Sequence, residues 1–173
     1  IINGTTELPD QMAIGATWKS SLARDVGAVM GDELSKLGFN LFLGPSLDVL
    51  DTLPAEDSED LGTRTFGGDP YWVGLMGQAY IQGLHEGSGG RMAVIAKHFP
   101  GRGGSDRSAE EEVATVRKSL EQLKQIELAP FFSVTGEQIE PTTITDGLFV
   151  SHIRYQGLQG NIRATTRPVS FDG

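Results

Sequence analysis

Residues 92–106 read MAVIAKHFPGRGGSD. A short apolar run is followed by a Lys-His pair, an aromatic, a proline, three glycines and an acid. The run Met92–Ala96 predicts a strand, and the loop at its end concentrates groups that bind or react. Upstream, Asp69 and Pro70 form an N-cap and first-turn pair. Val73, Met76, Tyr80 and Leu84 then follow at helical spacing, ending near Gly87. Further upstream, FNLFLGP (39–45) has a strand-like apolar pattern ended by Gly44 and Pro45, as in a strand covered on both faces. Before it, a helix is predicted from Ser20, with Leu22, Val26, Val29, Met30, Leu34 and Leu37 on one buried face and Gly38 as its stop.

Downstream, Ser108 and Glu111 fit a capping box. Val113, Val116, Leu120, Leu123 and Ile126 continue at helical spacing, predicting a third helix. After Pro130 and a polar stretch, Leu148, Phe149 and Val150 suggest a third strand running into His152, Arg154 and Tyr155. Strands alternating with helices indicate parallel βαβ units, so the fold class is α/β. In such folds the loops after the strands collect on one rim. Asp48, Lys97, His98, Ser151 and His152 would meet there. The acidic stretch around 56–60 reads as a solvated loop.

Composition narrows the chemistry. With 14 basic and 23 acidic residues the net charge is −9, which disfavours nucleic acid and anionic membrane surfaces as partners. The absence of cysteine excludes disulfides, thiolate metal sites and cysteine nucleophiles, and leaves the compartment open. No apolar stretch approaches the roughly eighteen residues of a membrane span. A phosphate cradle is a weak reading of PGRGGSD, because no Gly-Lys-Ser/Thr closes it and Asp106 stands where a dinucleotide fingerprint wants glycine. His85, His98 and His152 lack the spacing of a metal site, and no cofactor is expected. A polyol remains. Its hydroxyls need donors and acceptors fixed in a pocket, and a Lys-His pair supplies charge-assisted donors.

KHFPGRG (97–103) resembles the Lys-His-Phe-Pro-Gly signature of glycoside hydrolase family 3, the β-glucosidase and β-N-acetylglucosaminidase family. The usual version continues His-Gly where this chain has Arg102-Gly103. LFLGPSLDV, LGTRTFGGDP, AVIAKHFPG and LFVSHIRYQGL look like successive motifs of that family, in its order, across residues 12–158. The resemblance implies a bacterial-type catalytic domain built as a (β/α)₈ TIM-type barrel. Such barrels run to about 250 residues, so residues 1–173 would be a partial barrel lacking its N- and C-terminal strands. Open strand edges would then favour self-association or call for a complementary segment.

The resemblance also assigns roles. Arg64, Lys97 and His98 match the residues that bind hydroxyls of the sugar at the cleavage subsite. For Arg64 the plain alternative is a loop salt bridge, and for His98 a satisfied core histidine. Asp48, in the family's Leu-Asp-Val stretch, would order the rim or touch substrate, the ordering role fitting better. His152 and Tyr155 match the family's strand-end His-x-x-Tyr, lining the pocket or packing beneath it. The implied mechanism is retaining hydrolysis of terminal β-linked glucose or N-acetylglucosamine by two groups about 5–5.5 Å apart. Its aspartate nucleophile belongs to a Ser-Asp-Asp or Ser-Asp-Trp strand end that this sequence lacks, and Asp172 stands in no such context. N-acetylglucosaminidases carry an Asp-Ser-His loop motif for the general acid. Here GGSDRSAEEE matches only its aspartate, making Asp106 the candidate acid or the acid's loop partner. Glu110–Glu112 are better suited to opening the third helix. The other reading is a non-catalytic carbohydrate-binding or interaction module on the same fold, and an anion-binding α/β module is a third.

Overall fold

The computed structural model describes residues 4–51, 61–107, 113–136 and 140–172. Three parallel strands form its sheet: β1 (Leu41–Ser46), β2 (Ala93–Phe99) and β4 (Gly147–Val150), side by side in that order. Helix α3 (Pro70–Ser88) carries the chain back from β1 to β2 and makes the βαβ unit that parallel pairing requires. Asp69 caps it, accepting from the Trp72 amide at 3.1 Å, and Gly89 leaves it in the left-handed conformation at φ 62°. Register pairs Leu43 with Ile95, and Lys97 with Phe149. Partners across a parallel ladder share a face, so Leu43, Ile95, Lys97 and Phe149 lie on one side of the sheet. Phe42, Val94, Ala96 and Leu148 face the helices and join the main core with Val73, Met76, Tyr80 and Phe131.

Helix α2 (Ser20–Lys36) matches its expected span, with Gly38 beyond it at φ 93°. Its buried residues differ from the expected leucine stripe. Ala23, Gly27 and Gly31 face α3, while Leu22, Val29 and Leu37 are exposed. The seam is backbone against backbone. A β-carbon on Gly27 would strike the Tyr80 carbonyl, one on Gly83 the Arg24 carbonyl, and one on Gly87 the Ala28 carbonyl. Helical periodicity identified the element, and the missing side chains chose which face packs.

Four further expectations need correction. Strand β1 runs through Gly44 and Pro45 to Ser46 and is not covered on both faces. Leu41 and Leu43 are 52% and 49% exposed, because among the described residues nothing lies over that side of the sheet. The third helix is shorter than its apolar spacing suggested. Thr115–Val116 is a strand, β3, paired in parallel with β5 (Arg154–Tyr155) in a second small sheet. Val113 and Val116 fit a helix by spacing, but Arg117 and Lys118 are drawn out to Asp106, Asp51 and Glu127. The helix starts one segment later as α4 (Leu120–Gln125), where Ser119 and Gln122 form the capping box. Ser108 and Glu111, the expected box, lie outside the described residues.

Pro130 opens a further helix, α5 (Ala129–Thr135), where the sequence suggested a polar stretch. Proline at a first turn forfeits no intrahelical bond. The segment after β4 is broken, with Ser151–Ile153 turning the chain before β5. Short helices α1 (Gln11–Gly15) and α6 (Gln156–Gln159) complete the α-helical content of the described residues. No helix among them is long and apolar enough to cross a membrane.

Candidate active site

The ends of β1 and β2 meet at Asp48, which is fully buried. Its Oδ2 accepts from the Ser46 hydroxyl at 2.7 Å and meets His98 Nδ1 at 2.7 Å, while Oδ1 accepts from the Arg102 amide at 2.8 Å. Burial by itself would raise the Asp48 carboxyl. The His98 bond and charge, the Arg102 amide and the Ser46 hydroxyl outweigh it and hold the carboxyl below the usual range. An ionised Asp48 fixes the His98 tautomer, since Nδ1 must carry the proton it donates. Nε2 is then the ring's remaining polar atom. The neighbouring Lys97 lies half-buried at the end of the sheet's open face. Burial lowers its ammonium, with Arg64 and Arg102 adding repulsion against the opposing pull of Asp48.

Arg64 reaches this cluster from the loop that precedes α3. Thr65, buried beside it, donates to the Asp48 carbonyl at 2.6 Å, and the Leu50 amide donates to the Gly67 carbonyl at 3.0 Å. The loop is pinned by its backbone, and the exposed Arg64 side chain is close enough to Lys97 to repel it. Asp48, Lys97 and His98 thus lie together at the strand ends, with Arg64 beside Lys97.

The glycine-rich loop after His98 is clamped from below. The Gly101 amide donates to the His98 carbonyl at 2.7 Å, with Gly101 at φ 113°, and a β-carbon on Gly103 would strike the Val49 carbonyl. The Gly104 amide donates to Glu127 Oε1 at 3.1 Å, and Lys118 Nζ donates to the same oxygen and to Asp51 Oδ1, both at 2.7 Å. One ammonium therefore serves two carboxylates. Glu127 is fully buried and its Oε2 has no partner among the described residues. Burial raises the Glu127 carboxyl, against the Lys118 bond that lowers it. Lys118 is held up, the two carboxylates overcoming its own burial.

The remaining expected site residues are held by other contacts. Asp106 is engaged by its own loop and strand: the Thr115 amide donates to it at 2.8 Å, and Arg107 and Arg117 approach at 3.4 and 3.2 Å. His152 is exposed at the rim, its Nδ1 meeting Ser170 Oγ at 2.8 Å and its ring edge-to-face with Phe171. Tyr155 does not line the rim. It is fully buried in a second core with Val116, Leu123 and Ile153, its hydroxyl 2.6 Å from Ser151 Oγ. The break after β4 turns Tyr155 inward. Sequence reasoning missed Glu127 and Lys118, whose spacing of nine residues across a predicted helix gave no hint of an ion pair. Glu127 sits between Ile126 and Leu128, so the one signal available was a carboxylate inside an apolar run.

A profile described as the glycosyl hydrolase family 3 N-terminal domain matches residues 1–172. This chain belongs to glycosyl hydrolase family 3. It is 31% identical over 153 residues to a β-hexosaminidase of Pseudomonas aeruginosa, covering 88% of this chain and 42% of that protein. The β-hexosaminidase LpqI of Mycobacterium bovis is 32% identical, with 93% of this chain and 38% of the relative covered. Among solved structures, a family 3 β-N-acetylglucosaminidase from Paenibacillus sp. FPU-7 superposes with a TM-score of 0.83 at 27% identity, over 97% of this chain and 29% of that one. NagZ from Neisseria gonorrhoeae, in complex with N-trifluoroacetyl-D-glucosamine, gives 0.78 at 28% identity, over 96% of this chain and 46% of that one. The chain spans less than half the length of these relatives. Its parallel strands and returning helix are a portion of the family's (β/α) TIM-type barrel.

Proposed function

We propose that this chain supplies the sugar-binding side of a retaining family 3 glycosidase barrel acting on terminal β-linked N-acetylglucosamine or glucose. The observation that carries the proposal is the Asp48–His98 pair. A buried carboxylate fixes the imidazole at the strand end, beside Lys97 and Arg64, so two cationic donors and the imidazole Nε2 converge where a sugar's hydroxyls would lie. His98 Nε2, the Lys97 ammonium and the Arg64 guanidinium bind hydroxyls, and His152 borders the same rim. Asp106 acts as the partner of the loop that carries the acid, its oxygens being committed to Thr115, Arg107 and Arg117. Other strands of the barrel supply the nucleophile and cover the open face of β1, β2 and β4.

The test is hydrolysis of nitrophenyl β-N-acetylglucosaminide and β-glucoside by this chain and by a protein that includes the rest of the barrel. The reading expects turnover in the longer protein and its loss in His98→Ala. No turnover in either, with N-acetylglucosamine still bound through His98, would replace it with a carbohydrate-binding module. Absence of both turnover and binding would overturn it.

A further inference from the structure

A second group of chemically expressive side chains lies at the N-terminal end of the seam between α2 and α3. Trp18 and Trp72 meet edge to face with centroids 5.1 Å apart, and Tyr71 meets Trp72 at 5.8 Å. Trp18 and Tyr71 are 58% and 72% exposed, whereas Trp72 is half-buried against the main core. Among the described residues Trp18 is the one non-glycine at positive φ, 54°. That conformation is strained for a bulky residue, so the fold holds an exposed indole in place against backbone strain.

Trp18 and Trp72 border a cavity of about 320 Å³ lined also by Met12, Phe66 and Asp69, with Tyr71 edge to face against Trp72 outside its wall. That volume lies at the small end of the range for ligand pockets. Asp69 contributes an acceptor. Its Oδ1 takes the Trp72 amide, and no described residue takes Oδ2. The place in the fold matters as well. Helix α3 returns antiparallel to β1 and β2, so its first turn lies on the rim where those strands end. Phe66 in the cavity wall follows Arg64 on the same pinned loop.

From these observations we infer that Trp18, Tyr71 and Trp72 form a second carbohydrate site, an aromatic platform that takes pyranose units of a β-linked glycan. A β-linked pyranose presents a flat face of C–H groups that packs on an aromatic ring, while its equatorial hydroxyls point sideways toward an acceptor such as Asp69. Rigid Trp and Tyr rings supply that contact at small entropic cost. The choice of ligand class rests on the glycosidase reading above, and the rings are distinct from Arg64, Lys97 and His98.

The protein contains two tryptophans, Trp18 and Trp72, and they touch each other, so emission excited selectively at tryptophan reports this patch, free of the core tyrosines Tyr80 and Tyr155. Titration with chitotetraose and cellotetraose should give a saturable change in that emission. Tyr71→Ala, at an exposed position, should weaken the apparent affinity about three- to tenfold, and Trp18→Ala should do the same. His98→Ala should leave the titration unchanged. Three results would overturn the proposal: no saturable change with either glycan, a change abolished by His98→Ala yet indifferent to Tyr71→Ala, or a shift in sedimentation of the free chain on Tyr71→Ala, which would make the patch a self-association face. Loss of hydrolysis with this titration intact would sink the glycosidase reading alone.

Discussion

Asp48→Asn keeps the shape of the side chain and removes its charge, at a position with no solvent access. The carboxylate accepts three hydrogen bonds, from Ser46, His98 and the Arg102 amide, at 2.7, 2.7 and 2.8 Å. An asparagine can place its one oxygen toward Ser46 and His98 or toward Arg102. Either way its amide N–H₂ faces a donor, leaving at least one buried N–H or O–H unpaired. Hydrogen bonds to charged groups contribute about 1.5–3 kcal/mol each, and removing one partner of a buried pair costs about 3–5 kcal/mol. The expected destabilisation at pH 7 is therefore about 3–5 kcal/mol, a large share of the roughly 5–15 kcal/mol available to a domain. For a chain of this size that lowers the melting temperature by about 6–20 °C. The folded Asp48 carboxyl lies below its unfolded value of about 3.9, so its contribution is complete above that value and is lost as pH falls through the folded one. Urea unfolding of wild type and variant from pH 7 down to pH 3 should show a gap that is constant above about pH 5 and closes below about pH 4. A cost under about 1 kcal/mol, or a gap indifferent to acid, would refute the argument that a charged Asp48 organises the site.

Gly83→Ala pushes a β-carbon into the Arg24 carbonyl across the helix seam and should cost about 1–3 kcal/mol in thermal or urea melts, although alanine favours helix. Arg64→Ala, on an exposed side chain, should change stability by no more than about 0.5 kcal/mol while weakening N-acetylglucosamine binding about tenfold, read by NMR titration. Glu127 has its folded carboxyl raised by burial, so the stability it contributes is present below its unfolded value of about 4.3 and lost as pH rises through the folded one. Paired urea melts of wild type and Glu127→Gln from pH 4 to 8 should move in favour of the variant as pH rises; movement the other way would show that Lys118 dominates.

How much of this architecture could be read in advance varies by element. Helices α2 and α3 were legible because their signals are local. Apolar spacing, the Asp69-Pro70 start and the glycine stops act within a few residues. The strand ends carrying Asp48, Lys97 and His98 were legible for a related reason, since alternating strands and helices send these loops to one rim. Residues 115–126 misled because helical spacing is indifferent to partners. Strand β3 exists through its pairing with β5, and Arg117 and Lys118 find carboxylates at Asp106 and Asp51, 11 and 67 residues away and beyond the reach of helical spacing.

Local order therefore lay within the amino-acid sequence: the βαβ rhythm, the caps, the residue types at the rim and the family they mark. Tertiary structure decided which face of α2 is buried, that Tyr155 turns into the core, and that Glu127 and Lys118 support the glycine loop. It also gathered Trp18, Tyr71 and Trp72 from separate segments. The physical reason is range. Backbone propensity and capping act within a turn or two, whereas burial, ion pairing and ring contact depend on neighbours that only the folded chain brings within a few ångströms.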